Sequence, residues 1–360
     1  MKSKHISRVF ICNVVPKNSI EKLHVSMAAN YFSYNLIDEN CFDAVYSLVP
    51  TNIDNKIEKE YNSVYFLQSR FLSNKGIFKL LNILIDNVKL FFKISKNSNV
   101  WFYNLTHQTI LVYLLLKYFK KKLKVFIILL DFTPPTSKFS LQSFIFKQIN
   151  KSNGIISLTN NKLLNSKTIV IPGLVPEEKD LKIQNTINNT FLLSGILSKN
   201  RCPELILEVF SRFPEYELII TGRIEDEKLI QKYIYKYKNI NYLGLLEYND
   251  YLKVLENATF SINSRNPSYE ENNFNFPSKT IEHLKHNKVI VSTMEYSELE
   301  GIKYFYVKPT VDDFMIFFNK LKTIDKRLLL EKYVNQSEKV YELFGVSKWK
   351  DNFTRLENNF

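Results

Sequence analysis

Glycine and cysteine are scarce in this chain, and no long apolar run occurs. Only eight glycines are spread over 360 residues. No Gly-x-Gly-x-x-Gly follows an apolar run, which argues against a common dinucleotide dehydrogenase. No Gly-x-x-x-x-Gly-Lys-Ser/Thr is present either, which argues against P-loop nucleotide hydrolysis. The three cysteines, Cys12, Cys41 and Cys202, are odd in number and lack metal-ligand spacing. The plain reading is three reduced thiols in a cytoplasmic protein. The most apolar runs, around Thr109–Leu116 and Val125–Leu130, are far shorter than the ~20 residues a membrane span requires. Near the start, Val9–Val15 is broken by Asn13 and ended by Pro16, so it reads as a first β-strand rather than a signal peptide. No Asp-x-Asp occurs; Asp312 and Asp313 are adjacent, and no metal site is expected.

What is abundant is apolar and basic. Apolar residues make up 45% of the chain, with 28 Phe and 21 Tyr, enough for a full core and two domains of ordinary size. Residues 1–180 hold 24 Lys and Arg against 12 Asp and Glu, whereas residues 181–360 are nearly neutral, within a total of +13. That asymmetry fits a polyanionic partner on the N-terminal half, and nucleic acid or anionic lipid would qualify; a solvated basic surface with no partner is the alternative. Lysines cluster at Lys75, Lys79, Lys89, Lys93 and Lys96, and again at Lys117, Lys120, Lys121, Lys122 and Lys124. Phe78, Phe91, Phe92, Tyr118 and Phe119 interleave with them and could meet a lipid interface.

Strand and helix patterns alternate along the chain. Strands are expected at 9–15, 64–67, 100–103, 125–130, 154–158 and 168–171, with helices at 21–36 and 76–95. Pro172-Gly173-Leu-Val-Pro176 ends this series, and the polar stretch 177–190 reads as a linker. A second series follows, with strands at 190–194, 217–221, 241–243, 259–263, 289–292 and 304–307. Helices are expected between them at 202–210, 225–235, 249–257 and 278–286. Apolar strands separated by helices predict α/β domains with parallel sheets covered on both faces. The last fifty residues read as helical, with a break at Phe344-Gly345 and Trp349 as an anchor.

The richest segment is Asn275-Phe-Pro-Ser-Lys-Thr-Ile-Glu-His-Leu284, followed at once by the apolar Lys288-Val-Ile-Val-Ser292. Pro277 suits the first turn of a helix, where its missing N–H costs nothing. Ser278, Lys279 and Thr280 would offer backbone N–H groups to an anion, and Lys279 adds charge. Glu282, one turn on, is placed to accept hydrogen bonds from a ribose. This segment resembles the donor-binding motif of retaining glycosyltransferases of the GT-B fold, which in one bacterial branch reads roughly Phe-Pro-Ser-Lys-x-x-Glu-Tyr-Leu. Here His283 replaces the usual Tyr. A carboxylate usual eight residues before the ribose-binding Glu is replaced by Phe274, so that Glu270 or Glu271 would have to substitute. The resemblance is specific over about residues 190–310.

Over that span it implies further donor contacts. Gly195 ends a strand where a backbone can approach a phosphate, and Arg201 matches a basic residue that binds the diphosphate. Cys202 stands where Gly is usual. Gly222 ends the next strand, and Leu243, Gly244 and Leu245 resemble the backbone segment that holds the base. Arg265 is the second cation expected at the leaving diphosphate. In the N-terminal half, Asp131 and His107 follow strand ends and could orient the acceptor hydroxyl or the donor sugar; each also fits a helix cap or a surface polar group.

The resemblance implies two Rossmann-like domains facing a cleft. The first, residues 1–180, would bind the acceptor, with 341–360 crossing back onto it. The second, residues 186–340, would bind a nucleotide-sugar donor. Expected are metal-independent, retaining transfer from a UDP-sugar to a lipid-linked saccharide in surface polysaccharide synthesis, no cofactor, and peripheral attachment at the inner face of an anionic cytoplasmic membrane. No base-reading motif supports nucleic acid. The alternatives are a nucleotide-sugar epimerase of the same fold, or a non-catalytic basic protein that binds lipid or nucleic acid.

Overall fold

The structure is a computed structural model. It describes residues 6–20, 23, 25–50, 53, 56–71, 75–130, 134–135, 137–164, 167–176 and 186–359. The chain divides into two compact units, one of residues 1–176 with 346–360 and one of residues 177–345. Residues 177–185 of the expected linker lie outside the described residues.

The first unit is built on an eight-stranded sheet. Its strands are β1 (Ser7–Cys12), β2 (Ala44–Leu48), β3 (Glu60–Tyr61), β4 (Val64–Leu67), β5 (Ser98–Tyr103), β6 (Lys124–Leu129), β7 (Gly154–Ser157) and β8 (Thr168–Val170). They lie in the order β3-β4-β2-β1-β5-β6-β7-β8. Every pairing is parallel except that of β3 with β4. β2 and β3 have no counterpart in the sequence reading. The first helix also differs: it spans Met27–Asp38, six residues later than expected, because Ser26 caps it and accepts the Ala29 N–H at 3.4 Å.

β5, β6 and β7 are buried along most of their length, with helices covering the sheet. The helix Ser337–Phe344 ends at Gly345, and Val346–Asn358 starts at once and packs on this sheet. Trp349 is fully buried and donates to Gly173 O at 2.9 Å. Phe353 meets the Trp101 ring edge-on at 4.6 Å. Glu357 accepts from Arg8 at 2.7 Å and from Trp101 Nε1 at 2.8 Å. Gly154 lets Leu356 approach; a Cβ there would stand 3.0 Å from the leucine.

The second unit carries β9 (Thr190–Ser194), β10 (Glu217–Thr221), β11 (Ile240–Tyr242), β12 (Phe260–Asn263), β13 (Val289–Ser292) and β14 (Phe305–Tyr306). All pair in parallel, in the order β11-β10-β9-β12-β13-β14. This is the doubly wound 3-2-1-4-5-6 arrangement, whose switch point falls between β9 and β12. Phe191 at the sheet centre stacks on Phe260 at 4.3 Å and meets Phe210 and Phe318 edge-on. The strand order therefore reverses between β9, which Gly195 leaves, and β12, which Arg265 follows.

Candidate active site

Three glycines line neighbouring strand ends in the second unit. Gly195, Gly222 and Gly244 all have positive φ, at 123°, 115° and 70°. Gly195 N–H donates to Thr221 O at 2.9 Å, and Gly222 N–H donates to Gly244 O at 2.8 Å. The contact between the first two is too close for any side chain, since a Cβ on Gly222 would lie 2.0 Å from Gly195 O. The result is a bare backbone floor at the switch point.

One cation stands against that floor, and two more are linked to it through their charge. The Lys279 ammonium stands 4.0 Å from where a Gly195 Cβ would be. It lies 5.1 Å from the centre of the Tyr251 ring. Lys279 keeps accessible area, yet it stands in a recess crowded by protein, and this burial lowers its pKa; Arg201 lowers it further and Glu282 opposes. Burial, with Arg265 beside it, brings Arg201 down to about 10. Arg265 is buried and donates to Asn272 Oδ1 at 3.2 Å and to Asn275 O at 3.0 Å. Arg201 thus disfavours the charge of Lys279, Arg265 disfavours that of Arg201, and an anion placed among them would relieve that cost.

The loops that carry these cations are tied together. Asn266 N–H donates to Asn200 O at 2.8 Å, and the Asn272 amide reaches Asn200 O at 3.2 Å. Asn200 in turn donates to the Glu271 carboxylate. Cys202, between Arg201 and the helix Pro203–Ser211, has φ 48° and ψ 45°. That left-handed conformation is why a glycine suits this position.

The segment 275–284 differs from expectation in one respect. The helix runs Lys279–Lys285, so Pro277 precedes it, and the Thr280 N–H is not free for an anion because it donates to Pro277 O at 2.8 Å. Glu282 is half-buried, and Tyr248 donates to its Oε1 at 3.2 Å. Burial raises the Glu282 pKa, while Lys279 and the tyrosine hydroxyl act against that. His283 is buried and bridges the Tyr251 hydroxyl, at 2.6 Å, and Ser261 Oγ. Burial holds this imidazole neutral, with its pKa well below the ordinary value. Tyr248, Tyr251, Asn200 and Asn272 went unnoticed in the sequence, where nothing sets them apart from other polar helix and loop residues.

The remaining candidates are scattered. Leu243 and Leu245 are exposed; the Leu243 N–H is used by the sheet, donating to Ile220 O at 2.9 Å. Glu270 is exposed in the short 3-10 turn Glu270–Asn273, and Ser278 is exposed at the helix start. In the first unit His107 is exposed in the turn after β5. Asp131 lies outside the described residues. Among the described residues no three His, Cys, Asp or Glu side chains gather as a metal site.

Two sheets of doubly wound order, parallel but for the edge strand β3 and each in its own unit, define the GT-B class of fold. Two solved structures agree over nearly the whole chain and a third over about three quarters of it. HepE of Anabaena, in complex with UDP and glucose, matches at a TM-score of 0.66 and 12% identity, covering 98% of this chain and 100% of that one. A UDP-forming α,α-trehalose-phosphate synthase from Burkholderia xenovorans matches at 0.62 and 10% identity, covering 99% of each chain. TarM of S. aureus, solved with fondaparinux, α-GlcNAc-glycerol and UDP, matches at 0.55 and 14% identity, covering 76% of this chain and 58% of that one. In sequence, no protein family and no curated protein matches.

Proposed function

We propose that this chain is a glycosyltransferase that moves a sugar from a nucleoside diphosphate, UDP in the first instance, to an acceptor hydroxyl. The observation that carries this reading is a run of cations at the switch point: Lys279 stands at Gly195 on the glycine floor, Arg201 interacts with Lys279, and Arg265 interacts with Arg201. Breaking the bond between sugar C1 and phosphate oxygen leaves the electron pair on the phosphate. Preorganised cations stabilise that growing charge at no reorganisation cost. Arg201 and Arg265 suit the work because a forked guanidinium matches phosphate geometry. Glu282, held by Tyr248, would take the ribose hydroxyls, and the backbone of 243–245 would meet the base. Support comes from structures of the same fold that hold UDP with glucose or UDP-2-fluoroglucose.

The finer reading follows the motif of residues 275–284. Transfer is retaining, needs no metal because cations neutralise the leaving group, and acts on a lipid-linked saccharide in surface polysaccharide assembly. His107, Asp131 and Glu270 are the groups proposed to orient the acceptor hydroxyl or the donor sugar. The test is UDP release from labelled UDP-hexoses, with and without a polyprenyl-phosphate-linked saccharide and with and without chelator. Release that rises with the acceptor and ignores the chelator is expected. No release from any UDP-hexose would overturn the reading. A sugar epimerised while still attached to its nucleotide would establish the epimerase instead.

A further inference from the structure

The helix Gly76–Lys93 in the first unit is packed with its polar side inward. Asn82, Asp86 and Asn87 are all buried. Both Asp86 carboxylate oxygens accept the Ser69 N–H, at 3.1 and 2.9 Å, and Asn82 Oδ1 accepts the Phe71 N–H at 2.6 Å. Asn87 Oδ1 accepts the Val112 N–H at 2.8 Å, and its Nδ2 donates to Gln108 O at 2.9 Å. These bonds fasten the chain after β4 and the turn after β5, so the inner face is chosen for hydrogen bonding.

The apolar side is left in water. Ile77, Leu80, Leu84, Val88 and Phe92 are 69%, 65%, 45%, 37% and 77% exposed. Their spacing of three or four residues puts them on one stripe. Phe119, 73% exposed, adjoins the end of this helix, because the next residue, Lys120, donates to Phe91 O and Ile94 O. The charged rim is of one sign: Lys89, Lys93, Lys96, Lys121 and Lys122 are exposed, and the only acidic residue of the helix is the buried Asp86. A contiguous apolar stripe of this kind on a protein surface marks an interaction site.

We propose that this face docks on an anionic lipid bilayer, with the stripe entering the boundary between headgroups and acyl chains and the lysines meeting lipid phosphates. A second copy of the chain is disfavoured because a self-paired surface would set lysine against lysine. Nucleic acid would leave the stripe unused. The surface rests on the reading of a lipid-linked acceptor for its purpose, but vesicle binding is measured without turnover.

The experiment is flotation of the full chain with phosphatidylcholine vesicles, with or without phosphatidylglycerol, at low and high salt. Wild type should float with the anionic vesicles and lose at least about tenfold in binding on neutral vesicles or in high salt. Leu84→Glu with Phe92→Glu, and separately Lys93→Glu with Lys121→Glu and Lys122→Glu, should each lower binding at least about tenfold. Melting temperature and UDP affinity, read in the same preparations, should not change. Wild type that ignores anionic vesicles at low salt overturns the proposal. So does a wild-type dimer in equilibrium sedimentation that the Leu84/Phe92 variant converts to monomer. Absent UDP binding with vesicle binding intact would count against the donor reading alone.

Discussion

Substituting Gly222 by Ala tests whether the glycine floor is as tight as the geometry requires. The methyl group would lie 2.0 Å from Gly195 O and 2.8 Å from Gly195 C. Both are backbone atoms and cannot swing aside like the end of a side chain. Gly222 also sits at φ 115°, which by itself costs a β-carbon about 1–3 kcal/mol. With the clash added, roughly 3–5 kcal/mol is expected. In a domain of this size each kcal/mol shifts the melting temperature by about 2–4 °C, so the second unit should melt on the order of 10 °C lower. The displaced Gly195 also forms the ground beneath Lys279, so UDP affinity should fall by at least about tenfold, the equivalent of 1.4 kcal/mol. Gly244→Ala is the matched control for stability. Its φ is 70° and nothing stands within 4 Å of the added methyl, so only about 1–2 kcal/mol of backbone strain applies. Scanning calorimetry and UDP titration of both variants decide the matter. A Gly222→Ala protein that melts and binds UDP like wild type, or a Gly244→Ala protein whose melting temperature falls as far, would refute the reasoning.

Four further outcomes are expected. Lys279 has a lowered pKa and must be protonated to hold a diphosphate, so UDP affinity should decline with rising pH before the range of an ordinary lysine is reached; Lys279→Arg should flatten that decline in a titration series. Glu282→Ala should weaken UDP binding about tenfold or more, as loss of a carboxylate–diol contact worth roughly 1.5–3 kcal/mol implies, and Tyr248→Phe should cost less; calorimetry that finds Glu282→Ala at wild-type affinity would remove the ribose assignment. Cys202→Gly should relieve about 1 kcal/mol of left-handed strain and raise the melting temperature by roughly 2–4 °C. Lys120→Ala should destabilise the first unit by about 1–3 kcal/mol in urea unfolding, because the Phe91 and Ile94 carbonyls lose their donor.

The alternation of strands and helices over residues 190–310 was legible because strands buried on both faces carry continuous apolar runs, and those runs are local. Phe191–Leu193, Leu218–Ile220 and Val289–Val291 are of this kind. The candidate site was legible in part for the same reason: Gly195, Gly222 and Lys279 stand at strand ends and at a helix start, which short sequence patterns mark. β2 was not legible, since Ala44-Val-Tyr-Ser-Leu48 becomes a strand through its pairing with β1 and β4. Composition located the positive charge in the N-terminal half, but only the tertiary structure decided which lysines face solvent. Lys117 donates to Lys151 O, Lys120 to two carbonyls and Lys124 to Glu357 O, so three of the five lysines in one apparent patch are bound to backbone. The inward polar face of Gly76–Lys93 and the bridge from Tyr251 through His283 to Ser261 were equally hidden. Each depends on partners brought near by the fold from 11 to 32 residues away in sequence, and periodicity along one helix reports that a face exists without saying what meets it.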